Sequence, residues 1–176
     1  CPHGTGTDHA SFDLVTKEVS TIGDIFGVPD KARTLNDELT GQVKDLTSQA
    51  SKDSQHSAAA LWVEPGNSGF YTYGTSSMVQ PILEANGLRN VYDGERKRVF
   101  DATMEDVLNR DPEWIVLLAQ EGDIAKTKPA FLKYKGASQL QAVRKNQVVV
   151  IPFSLTDPPT PQSIKGAVEL NKLLKK

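Results

Sequence analysis

The sequence is poor in the side chains on which much metal and acid–base chemistry depends. It has one cysteine, Cys1, and three histidines in 176 residues. A single cysteine cannot form an internal disulfide. His3 and His9 lie near Cys1 in a segment without apolar periodicity, and His56 lies in the polar stretch 51–57, which is interpreted as a loop. These positions have neither the spacing of a zinc site nor the makings of a Ser-His-Asp set, so we expect no metal site and no catalytic residues.

Several longer signatures are also missing. No run of about 18 apolar residues is present to cross a membrane. The phosphate-binding GxxxxGK[ST], HExxH and GxSxG motifs are absent, and Gly4-Thr5-Gly6 does not follow a strand. A formal net charge of −2 gives no reason to expect a nucleic acid partner. The overall composition, with a hydrophobic fraction of 38%, is ordinary for a globular domain, and the chain is long enough to form a hydrophobic core.

Two helices are predicted at the start of the chain. Apolar residues recur at intervals of three and four from Phe12 to Phe26, which predicts an amphipathic helix between a cap at Ser11 and a stop at Gly27. Pro29 suits the first turn of a second helix, whose apolar face extends to about Ala50.

The remainder alternates apolar strands with helices. The runs 58–63, 114–118 and 147–151 are apolar without alternation, which is typical of strands buried on both faces. A very short strand is predicted at 90–92, and helices at 76–86, 103–110, 129–134, 137–144 and from Pro161 to the end. Thr103 and Asp106 form a capping box for the second of these helices. The pattern predicts an α/β fold of three layers, with a central, mostly parallel sheet of four or five strands flanked by helices.

Aromatic and basic side chains follow the predicted strands. Residues 67–74 are interpreted as a loop after the first strand, Arg96 to Phe100 follow the short second strand, and Phe153 follows the last. Ligands of open parallel sheets bind beyond the carboxyl ends of the strands. Aromatic faces and guanidinium groups would suit a large, flat or anionic ligand, whereas simple packing and a solvated basic turn are the alternatives. The candidate ligand residues are Phe70, Tyr71, Tyr73, Arg96, Arg98, Phe100 and Phe153.

Six segments in a fixed order carry a family resemblance. They are Phe70-Tyr-Thr-Tyr-Gly-Thr-Ser-Ser77, Ile82-Leu-Glu-Ala-Asn-Gly87, Asn90-Val91, Thr103-Met-Glu-Asp-Val-Leu108, Asp111-Pro-Glu-Trp-Ile-Val116 and Leu140-Gln-Ala-Val-Arg-Lys-Asn-Gln-Val-Val149. Over about residues 11–176 the chain resembles the C-terminal lobe of the substrate-binding proteins of bacterial ABC importers for ferric siderophores, haem and cobalamin.

The resemblance implies a division of the chain. Those proteins have two α/β lobes joined by one long helix, with the ligand held between the lobes. Residues 1–10 would then be the tail of a missing N-terminal lobe or a linker, 11–27 the connecting helix and 28–176 the C-terminal lobe. An extracytoplasmic location is implied, either periplasmic or lipid-anchored. Cys1 would carry the lipid of a lipoprotein, or is simply the residue at which this sequence begins.

The resemblance also implies a function without catalysis. We expect the chain to bind a ferric siderophore or haem, with no resident cofactor, for uptake through an ABC transporter permease. The family docks on the permease through a glutamate of each lobe, and the matching segment here gives Glu105. From the residues alone, Glu105 is an acid in the first turn of a helix, where the helix dipole favours it.

Two other functions stay open, as does the identity of the chelate. The first is an enzyme lobe resembling the metal chelatases of tetrapyrrole synthesis, which would need a histidine or acid cluster at the cleft. The second is a protein-interaction module without a small ligand. An isolated lobe would expose the apolar surface that its partner lobe covers, so a non-native dimer is also expected to be possible.

Overall fold

Helices and a single sheet alternate in the computed structural model, which describes residues 6–50, 56–63, 69–157 and 159–175. The strands are β1 (His56–Val63), β2 (Phe70–Tyr73), β3 (Leu88–Asn90), β4 (Val99–Ala102), β5 (Trp114–Ala119) and β6 (Val148–Pro152). The helices are α1 (Asp13–Ile25), α2 (Pro29–Gln49), α3 (Val79–Ala85), α4 (Met104–Arg110), α5 (Ile124–Leu132), α6 (Gln141–Arg144) and α7 (Pro161–Leu174).

The sheet has a parallel body and an antiparallel extension. The strand order is β4-β2-β1-β5-β6, and β3 pairs with the first residues of β1. Strands β3, β1, β5 and β6 are parallel, whereas β2 and β4 run antiparallel to their neighbours. The predicted mostly parallel α/β sheet is confirmed, with six strands instead of four or five.

The sheet is buried on both faces, which explains its continuous apolar runs. In β5, Ile115 and Leu117 belong to one core cluster, whereas Val116 and Leu118 belong to the other. Side chains of α4, α5 and α6 complete the first core, and side chains of α2, α3 and α7 complete the second. The three predicted layers are therefore present. Because strand residues alternate between the faces, each central residue is committed to one core.

The two predicted N-terminal helices are confirmed with small shifts. Helix α1 starts after Phe12, which occupies the cap position expected for Ser11, and Gly27 follows its end with a φ of 66°. Pro29 lies in the first turn of α2, as predicted. A small third cluster of apolar side chains joins α1 and α2 to Met78 and Ile164. This cluster attaches the helical pair to the sheet.

The prediction that residues 67–74 form a loop is wrong for the part that the structure describes there. Phe70 to Tyr73 form β2, which pairs with Leu61 to Val63 of β1 and with β4. The buried Thr72 hydroxyl donates to the Ala60 carbonyl oxygen at 2.9 Å. Aromatic residues and threonine favour strands, but four residues beside Gly69 and Gly74 are too short to show a clear alternation.

Two other boundaries differ from the prediction. His56 begins β1 instead of lying in a polar loop. Helix α5 starts at Ile124, five residues before the predicted start at 129. Pro129 lies inside α5 instead of at its start, so the hydrogen bond that an N–H at this position would donate to the Ala125 carbonyl oxygen is missing.

Candidate functional site

An open cavity of about 680 Å³ lies beside the carboxyl ends of β1, β5 and β6. We call it the sheet-end cavity. Its aromatic lining is Trp62, Tyr71, Tyr73 and Phe153, and its charged lining is Arg98 and Glu121. Val99 of β4, residues 119–122 after β5 and Ser154 complete it. The volume falls within the range of about 300–1,000 Å³ that is usual for small-molecule sites.

Two aromatic rings from neighbouring regions of the sheet edge meet in the cavity. Trp62 is the penultimate residue of β1, and Phe153 directly follows β6. Their ring centroids are 4.6 Å apart with an interplanar angle of 77°, which is an edge-to-face contact. Such contacts favour one relative orientation of the two rings.

Strand β2 adds two tyrosines to the same side. Tyr71 and Tyr73 are two residues apart in a strand, so their side chains lie on one face. In the pairing of β2 with β1, Tyr71 lies opposite Trp62. Tyr71 is 45% exposed, whereas Tyr73 is 4% exposed. Burial raises the pKa of the Tyr73 hydroxyl above its ordinary value, and the nearby Arg98 charge offsets part of this shift. Tyr73 is therefore a neutral phenol at physiological pH.

Arg98 is held by a buried acid. Its guanidinium forms an ion pair with the carboxylate of Asp157, whose side chain is 4% exposed. The segment before Arg98 is fixed as well, because the backbone N–H of Thr75 donates to the Glu95 carbonyl oxygen at 2.8 Å. The guanidinium is thus positioned before any ligand arrives.

Phe70 and Phe100 point away from the cavity. Phe70, Thr72 and Phe100 share the opposite face of the sheet, since Thr72 is paired with Phe100. Phe70 is buried against Tyr134 at 5.6 Å between centroids, and Phe100 contacts Tyr92 at 5.5 Å. The expectation that these two rings converge on the ligand edge is wrong, because strand alternation sends them into the core.

Arg96 also lies outside the cavity. Its guanidinium donates to the carboxylate of Asp8 at 3.1 Å, with both side chains mostly exposed. The neighbouring Ala10 is buried, and its backbone N–H donates to the Thr75 carbonyl oxygen at 2.8 Å. Asp8 and Ala10 therefore attach the segment before α1 to the rest of the described structure. Cys1 and His3 lie outside the described residues.

Glu105 lies on a different surface. It is an exposed residue in the first turn of α4, the helix that covers the core opposite the cavity. The Thr103 hydroxyl accepts a hydrogen bond from the Asp106 N–H at 3.2 Å, which confirms the predicted cap. The Asp106 carboxylate accepts from the Tyr92 hydroxyl at 2.8 Å, so it does not return to the cap as a full capping box would require.

Sequence reasoning missed several residues of the cavity. Trp62 lies next to the end of a strand that the sequence predicts, and this position is the signal that could have found it. Gln120 and Glu121 directly follow β5, a strand that the sequence predicts well, so the rule of strand carboxyl ends could have found them. Asp157 had no local signal, because its role depends on a partner far away in sequence.

Two kinds of feature are absent from the described part of the chain. Within residues 6–50, 56–63, 69–157 and 159–175, no group of three or more histidine, cysteine, aspartate or glutamate side chains could hold a metal ion. Over the same ranges, no helix combines the length and the apolar character that crossing a membrane requires.

The chain is similar to solved binding proteins over nearly its full length. An ABC-type Fe³⁺-hydroxamate transport system protein from Saccharomonospora viridis superimposes with a TM-score of 0.89 and 37% identity, covering 100% of this chain and 59% of that one. The periplasmic haem-binding protein HutB of Vibrio cholerae shares the fold, with a TM-score of 0.82 and 15% identity over 94% of this chain and 65% of that one.

Curated protein sequences also include similar binding proteins. The high-affinity heme uptake system protein IsdE of Staphylococcus aureus is 25% identical over 157 residues, which cover 85% of this chain. The chain spans about half the length of these curated relatives, since the match covers 53% of IsdE.

A family model described as "Periplasmic binding protein" matches residues 5–155. This description is one of binding proteins and not of enzymes, and it implies a location outside the cytoplasm. Because the match covers far more than half of the sequence, the chain belongs to the periplasmic binding protein family.

Proposed function

We propose that this chain is the ligand-binding C-terminal lobe of an extracytoplasmic protein that captures an iron chelate, either a ferric siderophore or haem, for an ABC importer. The observation that carries the proposal is the aromatic sheet-end cavity, with the preset guanidinium of Arg98 among its four rings. The names of the similar proteins from Saccharomonospora viridis and Staphylococcus aureus support the ligand class.

The shape of the cavity suits a ligand that is shared between two bodies. It is open instead of enclosed, and its rings project from strand ends and from β2. We propose that residues 1–10 lead in from the other lobe, that 11–27 connect the lobes and that 28–176 form the lobe described. A chelate would stack on the rings while Arg98 donates to its oxygen atoms, so that the organic shell and not the protein contacts the iron.

Tryptophan fluorescence tests the binding proposal. Trp62 lines the cavity, whereas the other tryptophan, Trp114, begins β5 at the opposite end of that strand. We expect a ferric trihydroxamate or haemin to quench the emission in a saturable way, and the Trp62→Phe variant to lose most of the quenching. Quenching retained in that variant would contradict binding at this cavity, and absence of binding by ferric trihydroxamates, haemin and cobalamin would contradict the function.

We propose Glu105 as the residue that docks on the permease. It is exposed in the first turn of α4, away from the cavity. Arginine pockets bind carboxylates strongly, and a reversed charge repels them. Substrate-binding components of ABC importers work with a permease, which would supply such a pocket.

A charge reversal separates docking from ligand binding. Glu105→Arg in the full-length protein is expected to lower cellular uptake of the iron chelate by about tenfold or more, because it creates a like-charge contact at the interface. Fluorescence titration should give an unchanged ligand affinity. Glu38→Arg, an equal charge change at an exposed site of α2, serves as the control. Equal uptake by the Glu105→Arg variant and wild type would remove the docking assignment.

Two finer points belong to the same proposal. The protein is periplasmic or lipid-anchored, and a lipid would be attached at Cys1, where mass spectrometry of protein from isolated membranes would find it. The isolated chain is also proposed to self-associate through the exposed apolar end of α1, at Ile25 and Phe26.

A further inference from the structure

Charged side chains of the sheet-end cavity almost cancel. Among the described residues that line it, Arg98 supplies one positive charge and Glu121 one negative charge. Directly behind Arg98, the buried carboxylate of Asp157 neutralises the guanidinium. The three groups together leave one negative charge at a site whose only lining cation, within the described part of the chain, is already paired.

We propose that this cavity selects ferric chelates that are neutral or cationic overall and disfavours anionic ones, with Asp157 and Glu121 as the residues that set the preference. The inference rests on the proposed function, because it concerns the ligands of the same cavity. It narrows the ligand class to hydroxamate-like chelates, whose three monoanionic groups balance Fe³⁺, and away from trianionic catecholates.

The burial of Asp157 is the first step of the argument. Its side chain is 4% exposed, whereas that of Arg98 is 33% exposed. Water and salt screen charges weakly at such a site, so the carboxylate stays with the guanidinium when a ligand enters. An anionic ligand would therefore meet a paired Arg98 and would have to approach the carboxylate of Asp157 as well.

The lining around Arg98 strengthens the same preference. The Glu121 carboxylate accepts a hydrogen bond from the Ser154 hydroxyl at 3.0 Å, which orients it on the cavity wall. Aromatic faces carry negative potential and attract cations. Arg98 keeps N–H groups that are free to donate to neutral hydroxamate or carbonyl oxygens, since a guanidinium has five donors. Because Asp157 neutralises its charge, Arg98 recognises the oxygen atoms of a ligand without adding net charge to the cavity.

A charge series on one chelate tests the inference. The probes are a linear ferric trihydroxamate with a free terminal amine, which is singly positive, its neutral N-acetyl form and its singly negative N-succinyl form. Affinities are measured through Trp62 quenching at low and at physiological salt. We expect the affinity to fall by about two- to fivefold for each unit of charge from positive to negative, with a smaller spread at higher salt.

Two variants assign the effect to residues. Glu121→Gln, at an exposed position, and Asp157→Asn each remove one negative charge and leave the remaining groups neutral, so both variants should compress the spread of affinities. Glu38→Gln in α2 removes the same charge far from the cavity and should leave the spread of affinities as wide as in wild type. Circular dichroism verifies that each variant is folded; if Asp157→Asn unfolds, Glu121→Gln alone decides.

The outcomes separate the inference from the function on which it rests. Equal affinities across the series, or the tightest binding by the negative form, would overturn the charge preference and leave the chelate-binding function standing. A spread of affinities that stays as wide in Glu121→Gln as in wild type would likewise contradict the assignment. No binding by any member of the series, or by haemin, would contradict the proposed function itself.

Discussion

Gly74 shows how one residue shapes the site from outside it. It follows β2, and a Cβ atom built there would collide with the carbonyl oxygens of Glu95 and Lys97. Those carbonyls belong to the segment that leads into Arg98. A side chain at 74 would push this segment outward, and with it the guanidinium.

We predict that Gly74→Ala lowers the free energy of unfolding by about 1–3 kcal/mol, the usual cost of overpacking, and also weakens ligand binding. Gly41→Ala is the control, because no atom lies within 4 Å of a Cβ at this position in the middle of α2. It should raise stability by about 0.5–1 kcal/mol. Urea denaturation of both variants measures the contrast, and two changes of the same sign would contradict the packing argument.

At this scale the sequence predicts the cavity only in part. Tyr71, Tyr73, Arg98 and Phe153 do line it. The sequence groups Phe70 with these residues because residues 67–74 have the composition of a loop, in which the direction of a side chain is not fixed by alternation. In a strand the direction is fixed by register, and register depends on pairing that no local pattern reveals.

Among the elements, the missed strands are the antiparallel ones. The apolar strands β1, β5 and β6 are visible in the sequence because both of their faces are buried. Strands β2 and β4 have four residues each and mixed composition, and they form only by pairing with each other and with β1. These two strands therefore depend on tertiary contacts, which local propensity does not determine.

Glu113 connects two elements at the other end of the sheet. Its carboxylate accepts from the backbone N–H of Ser57 at 2.9 Å and contacts His56 Nδ1 at 3.1 Å. In return, the Glu113 N–H donates to the Ser57 hydroxyl at 3.1 Å. The start of β1 is thereby joined to the residue before β5.

This contact predicts a pH dependence of stability. The Ser57 N–H bond, followed by the His56 contact, holds the pKa of Glu113 below its ordinary value of 4.5. A depressed folded-state pKa contributes stability that is fully present above the ordinary value and is lost as the pH falls through the folded one. Wild type should therefore exceed Glu113→Gln in stability at neutral pH, and the difference should shrink below about pH 4.5.

Denaturant titrations at a series of pH values test this expectation. Glu38→Gln, which changes an exposed acid of α2, should run parallel to wild type at every pH. If the difference in the free energy of unfolding between wild type and Glu113→Gln did not change with pH, the contact would not depend on the ionisation of the Glu113 carboxyl group.

For the whole molecule, the layered α/β architecture was predictable because hydrophobic burial dominates it. The connecting role of residues 11–27 stays a prediction. The described structure shows α1 as a helix of 13 residues packed against the longer α2, and it leaves large apolar side chains of α1 in solvent.

The exposed end of α1 gives the prediction at this scale. Phe26 is 75% exposed and Ile25 72% exposed. Burying such side chains between two copies is favourable by about 25 cal/mol per Å² of apolar surface. We expect the chain to self-associate with rising concentration in analytical ultracentrifugation and Phe26→Asp to stay monomeric. Leu132→Asp, at another exposed apolar position, is the control. A concentration-independent mass for the wild type would contradict this.

The antiparallel ribbon of β2 and β4 has a consequence for engineering. It contributes Tyr71, Tyr73 and Val99 to the cavity, and Arg98 directly precedes it, yet it lies outside the parallel body of the sheet. The cavity wall is thus shared between the ribbon and the ends of β1, β5 and β6. A library restricted to the solvent-facing positions of the ribbon would retarget the protein, for instance as a sensor for other chelates, while β1, β5 and β6 keep the scaffold intact.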